Sequence, residues 1–278
     1  MLHVAQDSAT NCPIAPITRL PLDMPHPLDG IRLKLDRAQT HLNRIRELLR
    51  PVQTGHYHLA REQCEEPHLV NLRFILPDAD RTLSTVIGDC LHNLRSALDH
   101  LVWQLVLTNP PKRPSRKNQF PICKTADGWI EALSRDRLRG VVPKAIPLIW
   151  GLQPYVMTPI DPVSPPLWIL NELTNIDKHR TLTVTTSAVM NPEVAFGRGL
   201  PWNEGGFKMT GLQAFLNGDI IGKLVARQVP PEPDLQAHGT LSVVFQDPPA
   251  TRREIASELE TILTFLRDDV VPTFEPFF

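Results

Sequence analysis

Between residues 83 and 107 the chain places imidazole, carboxylate, guanidinium and amide side chains at steps that a helix would gather. At 100° per residue, Asp89, His92, Ser96, Asp99 and Trp103 stack along one stripe, flanked by Arg95 and by Asn93 and His100. An imidazole that titrates near neutrality moves protons. A guanidinium holds a phosphate through paired hydrogen bonds. His92, Asn93, Arg95, Ser96, Asp99 and His100 are therefore the candidate site residues of this helix. The same residues admit a plain structural account, a solvated face with internal pairs such as Arg95 with Asp99 at i,i+4.

A second cluster, Asn175-Ile-Asp177-Lys-His179-Arg180, falls at the end of another helical pattern. Its basic residues suit a helix C-terminus, where the macrodipole favours cations. A sharper expectation is that Asp177 and His179, with Asn175 as a supporting candidate, approach the His92/Asp99/His100 face across a bundle. Those side chains are also suitable metal donors. No HExxH, ExxH or His-x3-His spacing accompanies them, so no metal and no cofactor is assigned. Residues 109–127 form a basic, proline-rich loop, in which Lys112, Arg113, Arg116 and Lys117 are the candidates for RNA phosphates.

The elements that must position these groups follow from periodicity. Ile31, Leu35, Ala38, Leu42, Ile45 and Leu48 or Leu49 mark a long helix from residue 28 that Pro51 should end. Residues 68–76 alternate like a strand. Asp80 or Thr82 caps the helix that runs to about 107, whose apolar stripe is Ile87, Leu91, Leu94, Leu98, Leu101 and Leu105. Further helices are expected at about 128–138, 143–152 and 165–178, the last opened by prolines. From Thr181 the text turns to strands: 181–189, 194–199, 206–215, 220–229 and 239–247, forming one antiparallel sheet of about five. Phe196 to Gly199 sits in a hairpin turn. A final helix covers about 250–270, and the tail is expected as exposed chain whose Phe274, Phe277 and Phe278 dock on this chain or on a partner.

The Arg95-Ser-Ala-Leu-Asp-His100 segment resembles the Rx4–6H motif of the HEPN superfamily, all-helical bundles that often dimerise. Many of them are metal-independent endoribonucleases. The resemblance implies that His100 moves the proton of a ribose 2′-OH or of the leaving oxygen, while Arg95 holds the scissile phosphate. It also implies a site shared between two copies of the chain, and a toxin or phage-defence setting with an antitoxin or regulatory partner. The residue after the Arg in such motifs is usually Asn, Asp or His, and here it is Ser96; His92 or Asn93 would stand in for it. Arg50 with His56 and Arg61 with His68 share the spacing but lie on no convincing helix. The longer pattern, LHNLRSALDH followed by NIDKHR, is similar to a recurring family of bacterial proteins, a likeness that implies no activity.

Composition narrows the classes. The 278 residues carry 29 Lys+Arg against 30 Asp+Glu, which argues against a polybasic carrier. At 42% hydrophobic and 21% charged, the chain belongs with ordinary globular proteins. Its 28 prolines predict stiff loops between short elements. No secretory leader and no membrane-length apolar run is read, and the four cysteines form no CxxC pair; a cytoplasmic protein with free or buried thiols is expected. GxGxxG, P-loop and GxSxG signatures are absent.

The expected fold class is α+β: an irregular arm (1–27), then one elaborated domain (28–278). In it a HEPN-like bundle (28–180 and 250–271) carries a β-rich insert (181–249) and closes with the C-terminal helix. The function expected is metal-independent RNA cleavage by a homodimer with no membrane partner. The alternatives are a non-catalytic nucleotide-binding or dimerisation module, and a metal-dependent hydrolase using the His/Asp cluster.

Overall fold

Two 25-residue helices, α1 (Asp29–Gln53) and α2 (Leu83–Leu107), form the spine of a mixed α+β protein. The computed structural model describes residues 26–55, 58–66, 69–196, 205–209, 214–226 and 235–278. The arm before residue 26, Cys12, His56, His68 and Gly197 to Gly199 lie outside the described residues.

The helices are antiparallel, with Gly30 beside His100 and Ala38 beside Cys90. Ile31, Leu35, Ala38, Leu42, Ile45, Leu49 and Val52 of α1 are all buried, and so are Ile87, Leu91, Leu94, Leu98, Leu101 and Leu105 of α2. Each buried aliphatic side chain contributes roughly 2 kcal/mol. Packing along this seam therefore holds the spine together. Pro51 does not end α1, which continues to Gln53, where Thr54 closes it by donating its amide and hydroxyl to the Arg50 carbonyl. At the start of α2, Asp80 accepts from both the amide and the hydroxyl of Thr82, so the carboxylate precedes the helix instead of capping it.

Short helices follow: α3 (Ala126–Ser134), a 3-10 turn at Pro143–Ala145, α4 (Ile146–Gly151) and α5 (Pro154–Met157). The next helix, α6 (Pro166–His179), opens on Pro166 in its first turn and packs on α2. The chain closes with α7 (Ile255–Thr264), a π-helical turn (Phe265–Val270) and α8 (Val271–Phe274). This end runs antiparallel to α1, tied by Arg46 to Glu260 at 2.7 Å and Arg32 to Glu275 at 2.9 Å. The tail is helical and not exposed chain, and its aromatics dock on this chain: Phe274 is fully buried, and Phe277 and Phe278 pack on the core.

The single five-stranded sheet is also corrected. A hairpin of β1 (His58–Gln63) and β2 (Leu69–Ile75) joins β6 (Ile220–Ala226) and β4 (Gly205–Met209) in a four-stranded antiparallel sheet. Three further strands, β5 (Ala214–Leu216), β3 (Val184–Phe196) and β7 (Leu235–Phe245), make the second. The segment 206–215, expected as one strand, thus divides between two sheets. Conversely, the described parts of two expected strands, 184–189 and 194–196, belong to one strand, β3. Its register against β7 shifts between Met190 and Val194, around Pro192, where a bulge tolerates the missing donor.

Among the described residues no helix is long and apolar enough to cross a membrane. Cys64, Cys90 and Cys123 are free thiols.

Candidate functional site

The polar face of α2 divides into three parts that point in different directions. Arg95 turns toward the loop before α3. Its Nη2 donates to the Phe120 carbonyl at 2.6 Å and to Asp99 Oδ1 at 3.2 Å. Asp99 Oδ1 in turn accepts from the Phe120 amide at 2.9 Å. The two side chains therefore satisfy both backbone groups of Phe120, whose ring is fully buried. Buried Gln153 continues this work, accepting from the Cys123 amide and donating to the Pro121 and Ile149 carbonyls. A coil that enters the core without a ladder needs such partners. The arginine side chain is 12% exposed, and burial holds its pKa below the usual range despite the neighbouring Asp99. Its Nη1 is buried with no hydrogen-bond partner among the described residues.

His100 turns the other way. Five helical steps rotate it about 140° from Arg95. It is exposed beside the start of α1, where a Cβ on Gly30 would stand 3.9 Å from its Nδ1. Partial desolvation, then the charge of Lys34, lowers its pKa, against the pull of Asp99. Arg95 and His100 do not face a common cleft within one chain.

Nearer the N-terminus of α2 is the third group. The Asp177 carboxylate, on α6, rests on the backbone of Gly88: a Cβ there would stand 2.6 Å from both carboxylate oxygens. Desolvation raises the pKa of Asp177, and Asp89 raises it further, while His92 lowers it. On α1, His41 has its pKa lowered by desolvation and Arg37 and raised by Asp89. Asp177 thus meets α2 at Gly88, with Asp89 and His92 near enough to shift its pKa. Asp99 and His100 lie seven or eight residues further along, about 10 Å of helix. Among the described residues no group of three or more His, Cys, Asp or Glu could hold a metal ion.

The remaining candidates have plain placements. Asn93 donates to the Asp89 carbonyl, Ser96 is half-buried, and Asn175 and His179 are exposed. Arg180 pairs with buried Asp247, which also accepts from the Thr183 amide and so fixes the exit from α6 to the second sheet. Lys112, Arg113 and Lys117 line one cavity of about 480 Å³ with Arg139 and Asp136; Arg116 is exposed and does not line it.

Sequence reasoning missed Gly88, His41, Arg139 and Gln153. Only Gly88 had a signal, since a glycine inside a helical pattern suggests close approach by a neighbour. No protein-family model matches the chain, and neither a curated protein nor a solved structure does.

Proposed function

We propose that the chain is a non-catalytic module that binds the phosphates of RNA or nucleotides, with the basic loop before α3 as its contact. The observation that carries this reading is the engagement of Arg95. A guanidinium that closes a buried backbone carbonyl and an intrahelical carboxylate is a structural group, unfit to grip a scissile phosphate without dismantling the loop it holds. The loop so fixed presents Lys112, Arg113, Arg116 and Lys117 to solvent.

A second reading, metal-independent RNA cleavage of the HEPN kind, is favoured by one observation. His100 is exposed and its pKa is lowered, so at neutral pH it is an unprotonated base. That chemistry requires Arg95 to leave Phe120. The outer stripe of α2 ends in Trp103 and Leu107, 44% and 49% exposed, a surface suited to the second copy that this reading needs.

Filter binding of a labelled single-stranded RNA across a salt series tests the proposal. Binding that weakens steeply with salt is expected; no retention at low salt refutes RNA as the ligand.

A further inference from the structure

The cavity beside the end of α2 is a built recess in the basic loop. One wall carries Lys112, Arg113, Ser115 and Lys117; the other carries Asp136 and Arg139. Buried Asn118 joins the walls, accepting from the Ser115 amide and donating to the carbonyls of Arg137 and Arg139. Asn109 adds a bond from its amide to the Gly140 carbonyl at 3.1 Å. Gly140, with φ +85°, brings the second wall close. A Cβ there would lie 3.1 Å from Val106 Cγ1 and 3.4 Å from Lys112 Cβ, so glycine sets the seat of the Lys112 stem.

Four cations line this recess with one carboxylate. Asp136 takes a left-handed turn at φ 63°, which aspartate tolerates, and its carboxylate binds Lys117 at 2.9 Å with Arg139 at 3.8 Å. It orients two of the cations and neutralises one charge. Lys112 and Arg113 have no ion-pair partner among the described residues. An excess of about three positive charges therefore lines a volume of about 480 Å³, within the range of small-molecule sites. No aromatic ring lines the recess, so nothing there stacks on a base.

We propose that this recess is a phosphate site that takes two or more adjacent phosphates, as in a nucleotide polyphosphate chain or a triphosphate RNA end. The inference deepens the phosphate-binding reading and rests on it for RNA alone. Charge matches charge, and recognition is blind to the base. Lys112 and Arg113 are the first contacts; Ser115 supplies a hydroxyl; Lys117 and Arg139 are held in place by Asp136.

The test compares the intact protein, Lys112→Ala/Arg113→Ala and the control Lys144→Ala/Lys178→Ala. Calorimetry with pyrophosphate, AMP, ATP and GTP is run beside filter binding of one RNA carrying a 5′-triphosphate or a 5′-hydroxyl. Expected are similar affinities for ATP and GTP, weaker binding of AMP, and a tenfold or greater loss in the double variant, with the control unchanged. Preference for the triphosphate RNA identifies an RNA end as the source, and indifference with retained ATP binding identifies a free nucleotide. Binding of pyrophosphate or ATP without RNA retention upholds the recess and overturns the RNA reading. Pyrophosphate and ATP bound equally by the intact protein and the double variant overturn the recess, and RNA retention would then leave that reading standing. Absence of binding to every probe overturns both.

Discussion

Replacing Arg95 with methionine isolates the clamp, because the stem is kept while both hydrogen bonds are lost. Hydrogen bonds to charged groups contribute roughly 1.5–3 kcal/mol, and a buried carbonyl left without a donor costs about 1–3 kcal/mol. The Phe120 carbonyl would be in that position, whereas its amide keeps Asp99. Phe120 anchors the coil that enters the core, so relaxation is confined by Gln153 on the other side. The expected loss is about 2–4 kcal/mol, or about 3–7 °C in melting temperature for a chain of this length. Arg95→Lys, with one donor able to reach, should lose about half as much. Differential scanning calorimetry and urea unfolding at pH 7 read both values. An Arg95→Met protein that melts within about 1 °C of the parent would refute the clamp and return Arg95 to the catalytic candidates.

Four further outcomes follow from the same geometry. Gly88→Ala should destabilise by about 1–3 kcal/mol, because a Cβ would meet both Asp177 oxygens, and Asp177→Ala should relieve most of that loss; additive effects in urea unfolding would contradict the contact. Asp177 has a folded-state pKa raised above its unfolded value, so its stabilising contribution is present at low pH and lost as pH rises through the folded pKa. Asp177→Asn should accordingly stabilise the protein near pH 7, with the gain fading toward pH 3; a gain that grows on acidification would be inconsistent. The His100 imidazole should titrate below the ordinary histidine value of 6.5 in an NMR pH series, and a higher value would remove its role as a neutral base. The Cys90 thiol, buried and pushed up to about 12, should resist alkylation until the chain unfolds, while half-exposed Cys64 reacts; peptide mass spectrometry reads each site.

Helical periodicity made the spine legible. The apolar positions expected on α1 and α2 are the ones buried, because a long amphipathic helix has one way to hide its stripe. Local signals failed where pairing is nonlocal. Residues 58–63 carry little alternation and become a strand because β2 supplies the partner. The segment 206–215 parts into two sheets because β4 pairs with β6, while β5 pairs with β3. Pro51 is expected to end α1, yet the last helical turn accommodates its missing amide, as a bulge does for Pro192 in β3. At the candidate site the stripe on α2 was visible, but its division was not. Spacing along one helix fixes which residues share a face. It does not reveal that the Phe120 carbonyl waits opposite Arg95, or that Asp177 arrives at Gly88. The basic loop was legible in charge alone; Arg139, 27 residues after Lys112, joined the cavity only through the turn at Gly140.

The central claim, phosphate binding without cleavage, is tested most directly by following one 5′-labelled RNA in excess EDTA with the intact protein and with His100→Ala. Native gels report binding, and denaturing gels of the same samples report chain length. The account predicts a shifted complex, full-length RNA over hours, and no difference between the two proteins. Progressive cleavage by the intact protein that His100→Ala abolishes would contradict it and establish the ribonuclease reading in its place.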